Sequence, residues 1–228
     1  MKTGSAEWEE IIINGAKLFD VQVGSDEAGQ FSTHAGELIK WNSKINLSAI
    51  TDPLEVAVKH FLDSLAPARM IPAGSSMLDI GSGGGFPGIP LKVILPSLSV
   101  TLVDSSRKKI SFLKHVLRTL GLEGIDACQA RVEDLPESRE RFDVVICRAF
   151  SSLDRFIESA FPVLAENGIM IALKGKFSNN EIEPGGFSEN EKRSHIITSG
   201  LSYHTEVIKY SLPYIDSERT MIVIKRDH

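Results

Sequence analysis

Ser75-Ser76-Met77-Leu78-Asp79-Ile80-Gly81-Ser82-Gly83-Gly84-Gly85-Phe86 is the stretch that decides the fold. A short apolar run ends in a glycine cluster, and Asp79 sets the register D-x-G-x-G-x-G, which is a strand leaving through a tight turn. Without side chains the backbone can turn sharply and let a ligand approach closely. Gly83-x-Gly85-x-x-Gly88 also fits G-x-G-x-x-G, but that match begins later after the strand and carries Pro87 in the turn. Alone, it is weak.

Moving outward, the next apolar run, LSVTLVD, ends at Asp104, about 25 residues beyond Asp79. An acid there can accept both ribose hydroxyls of an adenosine cofactor. Asp79 lies beside the loop, where its carboxylate can pair with an ammonium group. S-adenosylmethionine has that group and NAD lacks it, so the methionine cofactor is the preferred reading. The bland alternative is a tight turn in which Asp104 only caps the helix that follows.

That helix opens at Ser105 or Ser106, carries Ile110, Leu113, Val116, Leu117 and Leu120 on one face, and ends at Gly121. Strands are expected near 124–130, 142–147 and 168–174, followed by runs at 203–211 and 219–226 joined by a turn at Pro213. Strands alternating with helices imply an α/β doubly wound sheet, mostly parallel, with a final antiparallel strand. Residues 175–195 are polar and rich in turn formers, and read as a crossover or lid.

Upstream, Trp8, Ile11, Ile12 and Phe19 recur at helical spacing, and Phe31, Ala35, Leu38 and Ile39 mark a second helix face. Asp52-Pro53-Leu54-Glu55 supplies a cap, a first-turn proline and an acid three residues after the cap. Residues 1–68 are therefore expected to be a helical extension packed on the sheet, and 69–228 the cofactor-binding domain.

Charge and composition narrow the classes. The 228 residues carry a net charge of -5, with 42% hydrophobic and 24% charged residues, which excludes disordered, collagenous and disulfide-stapled chains. Cys128 and Cys147 have neither metal-site nor disulfide-framework spacing, so no metal is assigned. Cys147 sits in an apolar strand and reads as a buried, inert thiol. The opening residues lack signal-peptide character and no run reaches a membrane span, so the expectation is a cytoplasmic protein without a membrane partner. Nothing demands more than a monomer. The acidity argues against coating nucleic acid by bulk charge, yet leaves room for a local basic site.

The fourth strand ends at Arg148, and reactants in an open α/β sheet sit beyond the strands' carboxyl ends. No Asn/Asp-Pro-Pro-Tyr run follows, as it would for exocyclic amine methylation, and no Pro-Cys pair of the cytosine-C5 type is present.

Taken with Asn46-Leu47, Lys59-His60-Phe61-Leu62-Asp63-Ser64, Gly85-Phe86-Pro87-Gly88-Ile89-Pro90-Leu91, Asp104-Ser105, Arg131-Val132-Glu133, Arg148-Ala149-Phe150, Leu173-Lys174-Gly175 and Glu218-Arg219, the chain resembles one family over most of its length. That family is the bacterial small-subunit (16S) ribosomal RNA guanine-N7 methyltransferases, also called glucose-inhibited division protein B. The resemblance implies a Rossmann-like class I S-adenosylmethionine methyltransferase fold, with 16S rRNA or the small ribosomal subunit as partner. It places Gly81, Phe86, Val132, Glu133 and Arg148 around the cofactor with Asp104 on the ribose; the motif adds Asp79, Gly83, Gly85 and Ser105. It also places Asn46, His60, Arg131, Lys174 and Arg219 toward the RNA.

Guanine N7 has an in-plane lone pair and no proton to lose, so alignment matters more than a general base. Arg148 and Lys174 are accordingly read as orienting guanine or phosphate. Plainer roles stay open: Lys174 as a solvated strand-end cation, His60 pairing with Asp63 along a helix, and Arg107-Lys108-Lys109 as a solvated face. Three rival functions remain: a small-molecule methyltransferase, a non-catalytic nucleotide-binding ribosome-associated protein, and a nicotinamide-dependent oxidoreductase.

Overall fold

The structure, a computed structural model, describes residues 1–135, 141–148, 152–175, 193–198 and 201–226. Ala149, Phe150 and most of the expected lid, 176–192, lie outside the described residues.

The strands are β1 (Ser76–Ile80), β2 (Ser99–Asp104), β3 (Ile125–Gln129), β4 (Phe142–Arg148), β5 (Leu164–Lys174), β6 (Arg193–Thr198), β7 (Leu201–Leu212) and β8 (Ser217–Arg226). They form one sheet in the order β3-β2-β1-β4-β5-β8-β7-β6. The first five run parallel, and β8 inserts antiparallel beside β5, with Leu173 opposite Met221. Two differences from the sequence reading stand out. β5 begins at Leu164 rather than near 168, and β6 adds an antiparallel edge strand beyond β7 that starts inside the expected lid, at Arg193, and runs past its end to Thr198.

Alternation along the central strands explains why both faces are covered. In β4, Val144 and Ile146 enter one apolar cluster while Val145 and Cys147 enter the other, and β8 divides Met221 and Val223 from Ile222 and Ile224 in the same way. The first cluster is roofed by α1 (Ala6–Ala16), α2 (Ser25–Ile45), α3 (the run from Pro53 to Leu65), α4 (Gly88–Ile94) and α5 (Arg107–Leu120). On the other face lies α6 (Leu153–Ala160), an eight-residue helix capped by Ser152 that the periodicity reading passed over.

The N-terminal helices join the sheet's own core. Trp8, Ile12, Phe31 and Phe61 are fully buried in the same cluster as Met77 and Ile146, and Trp8 Nε1 donates to the Pro53 carbonyl at 2.9 Å. Ile39, expected on the buried face of α2, is 41% exposed; it lies one residue round the helix from Leu38, whose row with Phe31 and Ala35 meets the core.

α3 is one helical run with an irregular centre: Pro53–Glu55, a π-helical stretch Val56–Leu62, and Asp63–Leu65. Its start is as the sequence predicts, with Pro53 at the first position and Asp52 Oδ1 accepting from the Glu55 N–H at 3.0 Å. The wider π turn, a feature that favours functional positions, carries Lys59 and His60.

Two glycines test this packing from opposite sides. A Cβ on Gly88 would meet Leu102 Cδ2 at 2.3 Å and Asp79 Oδ2 at 2.7 Å, whereas one on Gly36, exposed in α2, would meet nothing within 4 Å. Gly88→Ala is expected to cost about 1–3 kcal/mol by overpacking. Gly36→Ala is expected to add about 0.5–1 kcal/mol by restricting the unfolded chain. Urea melts of both variants check the signs; equal shifts would contradict this packing.

Candidate functional site: a glycine loop facing a cationic pocket

The loop after β1 is fastened to β2. Gly81 N–H and Ser82 N–H both donate to the Val103 carbonyl, at 2.8 and 3.1 Å, and Ser82 Oγ accepts from Val103 N–H at 3.1 Å. Asp104 Oδ2 accepts from Gly83 N–H at 3.1 Å, and its Oδ1 accepts from Ser106 N–H at 2.8 Å. One carboxylate thus ties the loop to the first turn of α5. Lys109 Nζ stands 3.4 Å from Oδ2. Ser106, rather than Ser105, is the side-chain cap of α5; Ser105 is exposed beside it.

The glycines divide by what faces them. Gly81 (φ +71°) and Gly83 (φ +56°) look into open space, with nothing nearer than 3.8 Å to an added Cβ. Gly85 (φ +91°) is turned toward Ile89, whose Cδ1 would lie 2.5 Å from a Cβ. Gly81 and Gly83 therefore leave open space beside the loop, and Gly85 supports it from behind.

Phe86 is also a support. It is 3% exposed, and its ring is stacked between His34 (4.8 Å, 13°) and His60 (4.6 Å, 11°). His34, on α2, is fully buried, and its Nε2 lies 2.8 Å from the Gly84 carbonyl, so Nε2 carries the proton and donates. Burial lowers His34 to about 4, which keeps the ring neutral. Sequence periodicity passed over this residue because a histidine on a helix face carries no apolar signal.

Asp79 lies at the floor. Its Oδ2 accepts from Gly88 N–H at 2.9 Å, while buried Oδ1 has no hydrogen-bond partner among the described residues. Burial raises its carboxyl to about 7, against the opposing Gly88 hydrogen bond. An orphaned acceptor, two open glycines and the Asp104 carboxylate fit a cofactor bearing an ammonium and a ribose.

Beyond β3, the single turn Val132–Asp134 holds Val132 6% exposed in the second apolar cluster. Glu133 is exposed and accepts from Ser159 Oγ at 3.3 Å; Arg131 is exposed beside it.

Four residues expected from separate motifs do come together. His60, Arg148, Lys174 and Arg219 line one pocket of about 290 Å³ at the carboxyl ends of β4 and β5, against α3. Arg148 Nη1 donates to the Lys59 carbonyl at 3.0 Å, its Nη2 donates to His60 Nδ1 at 3.3 Å, and its guanidinium carbon lies 5.2 Å from the Phe86 ring centre. The pocket and the glycine loop therefore share a wall.

Because arginine can only donate, His60 Nδ1 is an acceptor, and its Nε2–H points at Ser48 Oγ, 2.7 Å away. Burial, reinforced by the Arg148 charge, lowers His60 to about 3. The alternative pairing of His60 with Asp63 does not form. Asp63 instead accepts from Tyr210 O–H at 2.8 Å.

Asn46 is exposed and does not line the pocket; it ends α2 in the left-handed conformation (φ 48°). Asn42 does the local work, accepting from Leu47 and Ser48 N–H at 2.6 and 2.9 Å and so presenting Ser48 to His60. Cys147 is buried and its thiol is pushed well up by burial, in keeping with an inert role.

An open sheet in this order, with D-x-G-x-G-x-G at the end of β1 and an acid ending β2, defines a class I S-adenosylmethionine methyltransferase fold. The YcgJ protein of Bacillus subtilis has a similar fold, at TM-score 0.52 and 14% identity over 74% of this chain and 100% of that one. Residues 27–188 match the family described as rRNA small subunit methyltransferase G. Proteins named ribosomal RNA small subunit methyltransferase G are 40% identical in Geobacter sulfurreducens (94% of this chain, 95% of that protein) and 36% identical in Myxococcus xanthus (98% and 99%). The chain belongs to the rRNA small subunit methyltransferase G family.

The buried histidines imply a pH dependence of stability. Their native values lie below the ordinary 6.5, so between about pH 6.5 and 4 the unfolded chain binds more protons and stability falls as pH falls. Asp79, raised from 3.8 to about 7, acts oppositely, its contribution growing as pH falls through that interval. His34→Gln is expected to flatten the decline between pH 6.5 and 4. Melting curves with the wild-type slope would contradict the neutral His34.

Proposed function

We propose that this chain transfers the methyl group of S-adenosylmethionine to N7 of a guanine in 16S rRNA of the small ribosomal subunit, acting in the cytoplasm as a monomer. In this proposal residues 1–68 are a helical extension and 69–228 the cofactor-binding domain, together one structural unit. The observation that carries the reading is the position of Arg148, which lies against the glycine-loop residue Phe86 and also lines the cationic pocket.

When bound, S-adenosylmethionine supplies an electrophilic methyl on a sulfonium. Asp104 retains lone pairs for the ribose hydroxyls while holding Gly83 and Ser106. Asp79 Oδ1 takes a donor from the amino-acid end. Ser105, Val132 and Glu133, at the ends of β2 and β3, border the adenosine end.

Arg148 and Lys174 orient guanine O6 or a flanking phosphate, and Arg219 adds charge at the outer wall. A contact to O6 and N7 together cannot persist, because N7 must face the methyl. His60 is not a general base, since its Nδ1 is occupied and its value is about 3. N7 needs none. Arg131 and Asn46, exposed outside the pocket, are assigned to flanking RNA backbone.

Tritiated-methyl transfer to undermethylated small subunits, naked rRNA and a metabolite pool, followed by nucleoside mass spectrometry, tests the proposal. Label in 7-methylguanosine is expected; label in any other nucleoside or in a metabolite would overturn it. Arg148→Ala should lower turnover about 10–100-fold, the loss for removing charged hydrogen bonds, with less effect on cofactor affinity. RNA affinity should fall with added salt as counterions are released, and a flat response would favour a small-molecule acceptor.

A further inference from the structure

The cationic pocket contains an acid that the proposed transfer has not used. Asp63 is the one carboxylate among the described residues lining it, and it is buried. Placing an acid where a polyanion must bind needs a reason.

Neutralising the arginines is one, since Asp63 pairs with Arg219 and also lies within the field of Arg148, but it leaves the second carboxylate oxygen unaccounted for. Arg148 gives its hydrogen bonds to the Lys59 carbonyl and His60. Arg219 Nη1 donates to Ser217 Oγ at 2.6 Å and to the Glu218 carbonyl at 3.0 Å, leaving Nε 3.7 Å from Asp63 Oδ1. The close partner is neutral: Tyr210 O–H, on Oδ1. Among the described residues no donor is recorded on Oδ2, and Asp63 lines the pocket.

We propose that Asp63 reads the Watson–Crick edge of the target guanine, accepting hydrogen bonds from N1–H and the N2 amino group. This rests on the guanine-N7 reading and extends it to base selection. A carboxylate offers adjacent acceptors, and guanine's Watson–Crick edge offers adjacent donors. Adenine presents an unprotonated N1 there, which a carboxylate repels.

The sheet places the groups in the required sequence. Outward from β1 the neighbouring strands are β4, β5, β8 and β7, bearing Arg148, Lys174, Arg219 and Tyr210. Strands lie about 4.8 Å apart, so a purine spans one to two of these intervals. With N7 toward the cofactor loop, O6 falls near Arg148 and Lys174, and the opposite edge falls toward Asp63, which Tyr210 holds from β7.

The test compares single-turnover methylation of small subunits reconstituted with rRNA carrying guanine or inosine at the nucleotide that the enzyme methylates. Inosine keeps N7, O6 and N1–H but lacks the amino group. Wild type is expected to prefer guanine by at least about tenfold, the loss for one charged hydrogen bond. Asp63→Asn should bring the ratio to about two or below while S-adenosylhomocysteine affinity stays within about twofold. A wild-type ratio near one, or an unchanged ratio in Asp63→Asn, would overturn the proposal.

Should Asp63→Asn fail to fold, Tyr210→Phe carries the test. It keeps the carboxylate and removes the hydroxyl that aims it, and the ratio is expected to fall about threefold or more; no change would overturn the proposal. Product analysis separates the two ideas. A flat ratio with 7-methylguanosine as product removes only the role of Asp63, whereas a different methylated nucleoside removes the N7 reading as well.

Discussion

The site depends on one carboxylate receiving two backbone N–H groups. Asp104 accepts from Gly83 in the loop and from Ser106 at the start of α5, so the ends of β1 and β2 are held in one geometry. Without it, a loop of small residues with three left-handed glycines would have many conformations to lose on ordering. With it, Gly81 and Gly83 are held open while Gly85 and Gly88 are packed shut against Ile89 and Leu102. The cap and the ligand role of Asp104 are thus compatible, since each oxygen has a second lone pair.

The second support comes from the helices outside the sheet. His34 of α2 donates to the Gly84 carbonyl, Phe86 is stacked between His34 and His60, and Arg148 leaves β4 to meet both Phe86 and His60. Contact is therefore continuous from the glycine loop to the cationic pocket. Neutral histidines suit that place: a charged ring would repel Arg148 and cost desolvation energy. An acidic chain of net charge -5 can still present Arg148, Lys174 and Arg219 together, because three adjacent strand ends concentrate them. Net charge bounds the extent of an RNA-binding face; it does not determine its sign locally.

What the sequence made legible was local. The β1 exit, the Asp52 cap, the start of α5 at one of Ser105 and Ser106 and its end at Gly121 are each set by residues within a few positions of one another. Of the residues that the family resemblance places toward the RNA, His60, Lys174 and Arg219 meet beside Arg148 because β4, β5 and β8 are neighbours, while Asn46 and Arg131 stand apart. Distant pairings were not legible. Tyr210 with Asp63 and His34 with Gly84 join positions far apart in the chain, and no spacing rule indicates them. Nor did periodicity reveal the π stretch of α3, whose apolar residues read as ordinary helix, or edge strand β6, which lies in a turn-rich segment.

The loop, Asp79 and Asp104 fit an adenosine cofactor bearing an amino acid rather than a dinucleotide. Isothermal titration of the purified chain with S-adenosylhomocysteine, and separately with NAD, tests it most directly. Micromolar binding of S-adenosylhomocysteine and no heat with NAD are expected; tight binding of NAD with none of S-adenosylhomocysteine would overturn the assignment.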